Sequence, residues 1–389
     1  MKVFRFSSLL WKRGGLNIEC FYSLKGLPFK EVKMDRELVK KILEAAVMAP
    51  SGDNVQPWEF RVSENFTRIE LYNLPEKDNS YYNYQQSASY IAHGAVIENI
   101  KIAGKHLGCH IDYQLFPDTE NDNYIAKITL SPTDAQPDPY YTAIFERCTN
   151  RFQYKREQVS AAVLNALSST VKNIDTAQVS LVTDKDKVKQ LANELKVNDQ
   201  IVFERKDIHQ FLFDKIRWNQ KQIEETRDGM PVGVLGLSFI EKLSFPLMRF
   251  WWYVKVANIF GLSRIIALKC WWGCANASIL GMVTMKGNDK VSFVDGGRAV
   301  QRVWLELTLR GYSMQPIIGL TLLIHRLKQN QLSDFSKKHQ QLVGRASERL
   351  PTLFAVEVSD TLVMGFRMGG GKKRGIRAKT QRRFVFKGL

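Results

Sequence analysis

The sequence predicts an α+β protein built from two tandem, degenerate repeats, and three observations support this. First, a helix-period apolar run before residue 50 leads through a polar turn into the strand-like run 58–62. Second, the helix-like segments Gly94–Gly108 and Gly297–Gly311 match in length and in their bounding glycines. Third, the proline-rich stretch 131–139 separates the two regions. With 389 residues and 44% apolar content, the chain can form an ample core.

These boundaries divide the chain into an N-terminal arm, two repeats and a basic tail. The second repeat is longer than the first, and we expect the additional residues to form an insertion or lid. The predicted ranges are 1–33 for the arm, 34–135 for the first repeat, 140–368 for the second repeat with its insertion at about 215–285, and 369–389 for the tail.

Periodicity and breaker residues place the elements of the first repeat. Apolar residues at helical spacing predict two helices, and alternating or β-branched runs predict four strands. The predicted elements are a helix at 34–49, strands near 58–62 and 68–72, a helix at 92–107 that ends at Gly108, and strands near 111–116 and 124–130.

The second repeat is predicted by the same signals. Its long helix is expected to begin at the sequence Asp295-Gly296-Gly297. The other expected elements are helices at 160–167, 183–205 and 333–343, a strand at 312–318 and a strand-rich segment at 353–368.

Composition excludes several functional classes. A net charge of +17 indicates attraction to an anionic partner, but no zinc-finger spacing or RNP-like box indicates a specific nucleic-acid module. Five scattered cysteines do not form a disulfide framework or a zinc site, and the six dispersed histidines complete no catalytic triad. The N-terminal apolar run is broken by Arg5 and ends by Trp11, which is too short for a secretory signal, so a cytoplasmic location is expected.

The ten residues Ala49–Trp58 carry the clearest chemical pattern. Two prolines fix the backbone, Gly52 permits a tight turn, and Ser51, Asn54 and Gln56 offer short polar groups. On local chemistry alone, this stretch is typical of any polar turn between a helix and a strand.

The pattern A-P-S-x-x-N-x-Q-P-W in this context resembles the signature of the flavin-dependent nitroreductase superfamily. The resemblance implies an antiparallel-rich central sheet flanked by helices in each repeat, and a bound FMN. It assigns Pro50, Ser51, Asn54 and Gln56 to cofactor binding. It also implies that NAD(P)H binds transiently, delivers hydride to flavin N5 and is replaced by a nitroaromatic, a quinone or a similar acceptor. No catalytic protein residue is expected.

A second motif, with Arg147, Thr149 and Arg151, resembles the R-x-S/T-x-R pattern that holds the FMN phosphate in this superfamily. The first repeat lacks these arginines, and the second lacks A-P-S-x-x-N. In ordinary members each flavin lies between two subunits. The resemblance therefore implies one composite site per chain and a monomer that acts as an internal pseudo-dimer.

Two further stretches are candidate contacts to the cofactor. Phe366–Gly369 followed by Arg382 and Arg383 is similar to the family's basic ending that closes over the phosphate, although a basic tail is usually only solvated. Gly296 is a candidate through its backbone amide, because it lies near the predicted start of a helix.

The insertion leaves the function open in one respect. Its apolar run 239–273 contains four tryptophans but is interrupted by basic residues, so a membrane span is not expected. We expect a lid over the flavin, with peripheral contact to an anionic membrane surface as the alternative. Three functions follow: an FMN-dependent NAD(P)H oxidoreductase, a flavin-sequestering protein with a covered site, and a basic membrane- or nucleic-acid-associated protein without cofactor.

Overall fold

A computed structural model describes residues 34–370 and the backbone of the short strand Phe386–Lys387. The predicted site residues Arg382 and Arg383 lie outside the described residues. Helices and largely antiparallel sheets make up the described chain, so the predicted α+β class is confirmed.

The first half of the chain forms one sheet and two principal helices, followed by a short third helix. Its helices are α1 (Arg36–Ala46), α2 (Ser87–Leu107) and α3 (Pro139–Glu146), and its strands are β1 (Trp58–Val62), β2 (Arg68–Asn73), β3 (Cys109–Leu115) and β4 (Tyr124–Pro132). The Asp35 carboxylate caps α1 by accepting a hydrogen bond from the Leu38 amide, and α2 ends at Gly108 with a φ of 79°.

The first sheet packs on the core with one face only. Its strand order is β11-β1-β2-β4-β3, where β11 is Phe386–Lys387 and pairs in parallel with β1. Along β4, buried Ile128 and Leu130 alternate with exposed Lys127 and Thr129. This alternation is the pattern of an antiparallel sheet with one solvated face.

The second half contains more helices than the first. The helices between residues 161 and 275 are α4 (Ala161–Ser169), α5 (Lys185–Leu195), α6 (Val197–Glu204), α7 (Lys206–Asp214), α8 (Gln220–Thr226), α9 (Phe239–Met248), α10 (Trp251–Ile259) and α11 (Leu262–Ala275). The helices that follow in the chain are α12 (Lys290–Leu309), α13 (Gly319–Lys328) and α14 (Lys337–Phe354). The strands are β5 (Gln178–Val182), β6 (Ile216–Arg217), β7 (Met230–Pro231), β8 (Ile279–Met285), β9 (Ser313–Ile317) and β10 (Thr361–Gly369).

The second sheet, in the order β5-β8-β10-β9, is covered on both faces. Every residue of β8 and β10 is buried. Neighbouring residues of β8 belong to different cores: Ile279 packs into the core shared with the first half, and Leu280 packs into a second core formed by the surrounding helices.

The two long helices α2 and α12 join the halves. A Cβ atom added to Gly94 would lie 1.8 Å from the Val294 carbonyl oxygen, and one added to Gly297 would lie 2.0 Å from the Ile91 carbonyl oxygen. The helix backbones are therefore in direct contact. Buried Glu98 of α2 accepts ion-pair contacts from Arg298 at 3.1 Å and from Arg302 at 2.6 Å on α12.

Most first-half predictions are confirmed, but several in the second half are wrong. The helix predicted to begin at Asp295 begins at Lys290, because Asp289 caps it through a hydrogen bond from the Ser292 amide. The single helix predicted at 183–205 is two helices, α5 and α6. The helix predicted at 333–343 starts at Lys337 and extends to Phe354. Helix α13, Gly319–Lys328, was not predicted.

The predicted insertion consists of short elements rather than one long helix. Helices α9, α10 and α11, which we call the cap helices, contain 10, 9 and 14 residues. In the described part of the chain, no helix combines the length and the apolar character needed to cross a membrane.

Candidate functional site

A large cavity of about 1030 Å³ lies where the first half, the second half and the insertion meet. Pro50, Ser51 and Asn54 contribute to its wall from the first motif, and Arg147, Thr149 and Arg151 contribute from the second. The structure thus brings two motifs that are about a hundred residues apart onto one cavity. Its volume is at the upper end of the range of about 300 to 1000 Å³ for small-molecule sites.

The first motif forms a strained loop that the insertion holds in place. Asp53, Asn54 and Gln56 all adopt left-handed φ values, of 43°, 59° and 54°. The Asn54 side-chain amide donates to the Gly229 carbonyl at 3.1 Å, and the Gln56 amide donates to the Arg227 carbonyl at 2.8 Å. Such backbone geometry persists only where surrounding contacts enforce it, and the 227–229 segment supplies those contacts.

Within the same loop, Ser51 faces the cavity while stabilising the turn. Its Oγ accepts a hydrogen bond of 3.0 Å from the Gln56 backbone amide. A hydroxyl group has one donor and two acceptor positions, so the Ser51 O–H remains able to donate to a ligand.

The second motif follows α3 and presents its side chains along an extended segment. Arg147 is buried, donates to the Met48 carbonyl at 2.9 Å, and lies with its guanidinium carbon 4.4 Å from the centre of the Trp304 ring. Thr149 forms a β-bridge to Met314, which fixes this segment against β9. Arg147 therefore links the first-motif region to α12 as well as reaching the cavity wall.

Arg151 lines the cavity and has few partners for its guanidinium within the described protein. Within residues 34–370 its side chain makes one hydrogen bond, from Nη2 to the Met230 thioether at 3.2 Å, and no salt bridge. Thioether sulfur is a weak acceptor. Burial lowers the pKa of Arg151, an effect that the nearby Asp53 carboxylate opposes. This guanidinium is therefore suited to bind an anion in the cavity.

Arg367 belongs to the Phe366–Gly369 segment that is similar to the family's C-terminal pattern, and its hydrogen bonds hold the second motif in place. Its guanidinium donates to the backbone carbonyls of Gly273 at 2.8 Å and of Arg151 and Phe152, both at 3.0 Å. It also donates to Gln315 Oε1 at 2.6 Å. Most of its donors are thus used to connect the second motif to helix α11, so Arg367 is a positioning residue.

The carboxyl groups of Asp53 and Asp78 also line the cavity. Burial and the neighbouring Asp78 raise the pKa of Asp53 to about 6, whereas Arg151 and Lys215 lower it in part. Burial likewise raises the pKa of Asp78. By accessible surface Asp53 is only half-buried, but the surface that it exposes faces the cavity, where its carboxylate is poorly solvated.

The structure does not bring Gln56 or Gly296 to the cavity wall. Gln56 is 2% exposed, and its side chain is used to hold the loop. Gly296 lies inside α12, where an added Cβ would be 2.8 Å from the Val363 side chain. The prediction placed Gly296 at a helix N-terminus, and the actual start of α12 at Lys290 removes that reason.

Sequence reasoning missed several polar residues of the wall. Asp78 follows β2, Asp199 lies on α6, and Lys269, Cys270 and Cys274 lie on the cap helix α11. Burial raises the pKa of Asp199, and contact with Cys274 together with burial raises that of the Cys270 thiol. No local motif marks these residues, because only the tertiary fold brings them to the cavity. The described residues contain no cluster suited to a metal ion.

Comparison with known proteins supports the family resemblance of the first motif. The model of the nitroreductase family matches residues 28–85. An uncharacterized Mycobacterium tuberculosis protein, MT1398, is 24% identical over 300 residues, which is 72% of this chain and 39% of that protein. A second protein from that organism, named provisionally as the NAD(P)H nitroreductase acg, is 25% identical over 200 residues, which is 50% of this chain and 57% of that protein. The chain thus spans about half the length of the curated relatives it matches, or less.

Among solved structures, a Bacteroides fragilis nitroreductase with bound FMN aligns at 14% identity, with 62% of this chain and 97% of that chain covered and a TM-score of 0.32. A TM-score of this size does not establish a shared fold. The family match across the Ala49–Trp58 motif and the curated relatives together support the resemblance of this chain to the nitroreductase superfamily.

Proposed function

We propose that this protein is an FMN-dependent oxidoreductase of the nitroreductase type. The observation that carries the proposal is the meeting of Ser51 and Asn54 with Arg147, Thr149 and Arg151 on one cavity. These residues come from opposite halves of the chain, as a single composite flavin site requires. A relative named as an NAD(P)H nitroreductase gives further support.

The donor set fits a phosphorylated, planar cofactor. A phosphate needs charge-assisted donors, and Arg151 has guanidinium N–H groups that the described protein does not use. Thr149 adds a hydroxyl group, and Arg147 adds a second positive charge. Apolar side chains such as Ile91, Val300 and Leu322 line other parts of the wall and suit an aromatic ring.

When bound, FMN would supply a centre that accepts hydride from NAD(P)H and passes it to a quinone, a nitroaromatic or a similar small acceptor. The protein residues bind and orient. With FMN in the cavity, the two arginines would neutralise its phosphate, Ser51 and Asn54 would hold the polar edge of its ring, and the apolar wall would exclude water. No protein acid or base has to transfer a proton at the ring.

We further infer that the two halves are degenerate repeats and that one chain serves as an internal pseudo-dimer. Each half has one main sheet that is largely antiparallel and one long helix that faces the other half, and these two helices, α2 and α12, pack together at Gly94 and Gly297. This supports one flavin per chain and a monomeric protein.

A second function, flavin binding with little turnover, is favoured by one specific observation. Cap helices α9 and α11 contribute Phe245, Met248, Ile266 and Cys270 to the cavity wall. If the cap closes over the ring, NAD(P)H and acceptors cannot reach it.

The visible spectrum of the purified protein tests these proposals. We expect about one flavin per chain, bleaching by NADH or NADPH without oxygen, and recovery on addition of a quinone. A yellow protein that neither nucleotide reduces would support the sequestering function instead. A protein that stays colourless after reconstitution with FMN would overturn both.

The composite site is tested by Arg151→Gln, which removes the positive charge but keeps a polar side chain. We expect FMN affinity to fall by roughly tenfold to a hundredfold, because a hydrogen bond to a charged group contributes about 1.5–3 kcal/mol. Arg36→Gln, which removes the same charge from the exposed surface of α1, is the matched control. Equal affinities for the two variants would refute the split site.

A further inference from the structure

The exposed surface of the cap helices is unlike the rest of the molecule. Of fifteen large apolar side chains that are exposed in the described chain, twelve lie between Phe239 and Trp272. Soluble proteins rarely expose a contiguous apolar patch of this kind without a binding partner.

Each cap helix exposes an apolar stripe at helical spacing. Those on α9 and α10 are the most exposed, with Phe239 at 78% and Ile259 at 79%, and Phe260 after α10 reaches 81%. The stripes comprise Phe239, Ile240, Leu243 and Leu247 on α9, Trp252, Val256 and Ile259 on α10, and Ile265, Leu268 and Trp272 on α11.

The charges between these stripes are almost all positive. Lys242, Arg249, Lys255 and Arg264 are exposed, and none forms a salt bridge within the described residues. The one acidic residue of the cap helices, Glu241, is already paired with Lys269. The surface is therefore apolar and basic at the same time.

These features discriminate between occupants. A second copy of the chain would bring two basic surfaces together, which is unfavourable. The chain's own segment 1–33 also has more basic than acidic residues, so it is a poor electrostatic match. Nucleic acid would satisfy the charge but would leave the Leu, Ile and Phe side chains without partners. An anionic lipid surface satisfies both features.

We propose that the cap helices dock on the surface of an anionic lipid bilayer. The exposed apolar side chains enter the boundary between headgroups and acyl chains, and Lys242, Arg249, Lys255 and Arg264 contact lipid phosphates. The cap helices are too short to span a bilayer and so lie along its surface. This inference does not depend on a bound flavin.

Vesicle flotation tests the proposal with the full chain. We expect binding to vesicles of phosphatidylcholine with 30% phosphatidylglycerol and much weaker binding to phosphatidylcholine alone. The double variant Phe239→Ser/Phe260→Ser should lower the affinity for the anionic vesicles by about tenfold or more, since it removes two of the most exposed apolar groups. Leu309→Ser/Val358→Ser, which alters exposed apolar residues elsewhere, is the matched control and should bind as the parent protein does.

Two double variants that each remove two positive charges complete the test. Lys255→Gln/Arg264→Gln should weaken binding by about fivefold for each charge removed, whereas Lys185→Gln/Lys187→Gln on α5 should change it little. The proposal would be overturned if the two lysine and arginine double variants lost vesicle affinity equally while Phe239→Ser/Phe260→Ser lost none. Such a result would show non-specific electrostatic attraction. Absence of vesicle binding, a concentration-dependent dimer that Phe260→Ser abolishes, or duplex DNA binding that the cap variants weaken would overturn the proposal as well.

Discussion

The two sheets of this protein differ in how many of their faces are covered. In the first sheet, buried and exposed residues alternate, and its buried side chains belong to one core. In the second, strand β8 is buried throughout and divides its side chains between two cores. The additional helices of the second half account for this difference. The half that carries the insertion thus has three layers, whereas the sheet of the other half has a solvated face.

The largest expected effect tests this difference directly. Ile279→Ala and Leu280→Ala change adjacent, fully buried residues on opposite faces of β8, and each should lower the free energy of unfolding by about 2–5 kcal/mol. In β4, Ile128→Ala should do the same, but its neighbour Thr129→Ala should stay within about 0.5 kcal/mol. Urea denaturation measures all four. A mild effect for either β8 variant would mean that one of its faces is less well packed than the structure indicates.

An intermediate effect is expected where the halves meet. Gly94→Ala and Gly297→Ala each force a methyl group into the backbone of the facing helix, so each should destabilise by about 1–3 kcal/mol or more. Gly344→Ala is the matched control: it lies in helix α14 with no atom within 4 Å of the added Cβ. It should stabilise the protein by up to about 1 kcal/mol. Equal melting temperatures for all three variants would contradict the close contact between helices α2 and α12.

The smallest effect concerns the motif loop and depends on pH. The pKa of Asp53 is about 6 in the folded protein, against 3.8 as its ordinary value. The native state therefore binds the proton more tightly, and Asp53 makes the protein less stable as pH rises from about 4 through 6. Asp53→Asn, which suits the left-handed backbone, should be more stable than the parent by roughly 1–2 kcal/mol at pH 8.

That advantage should largely disappear near pH 3.5, where the Asp53 carboxyl group is mostly protonated in both the folded and the unfolded states. Denaturation at the two pH values checks the prediction, with Asp112→Asn on the exposed face of β3 as the control. An equal gain for Asp53→Asn at both pH values would contradict the assigned cause, since it would have to arise from something other than ionisation.

Sequence reasoning succeeded where the structure is determined locally. Strand β1 was predicted at its exact bounds, and the end of α2 at Gly108 followed from helix periodicity and the need for a residue that tolerates a positive φ. It failed where local signals compete. Asp295 before two glycines resembles a helix start, but Asp289 caps α12 first.

The candidate site shows the same division. The motif residues that line the cavity were identified from the sequence, but the links from Asn54 to Gly229 and from Arg151 to Met230 were not. These contacts join residues far apart in the chain, and neither partner in the insertion carries a recognisable pattern. The predicted role of Gln56 overlooked that a buried amide must first satisfy its own hydrogen bonds.

Two of the cap helices, α9 and α11, have one side in the cavity wall and the other on the outer surface. Thermodynamic linkage then applies to the two sides together. If an occupant of the cavity shifts the position of these helices, it must change their affinity for an outside partner, and that partner must change the affinity for the occupant by the same factor. In such a protein, the occupancy of the cavity would be measurable as a change in the affinity of the cap helices for their outside partner.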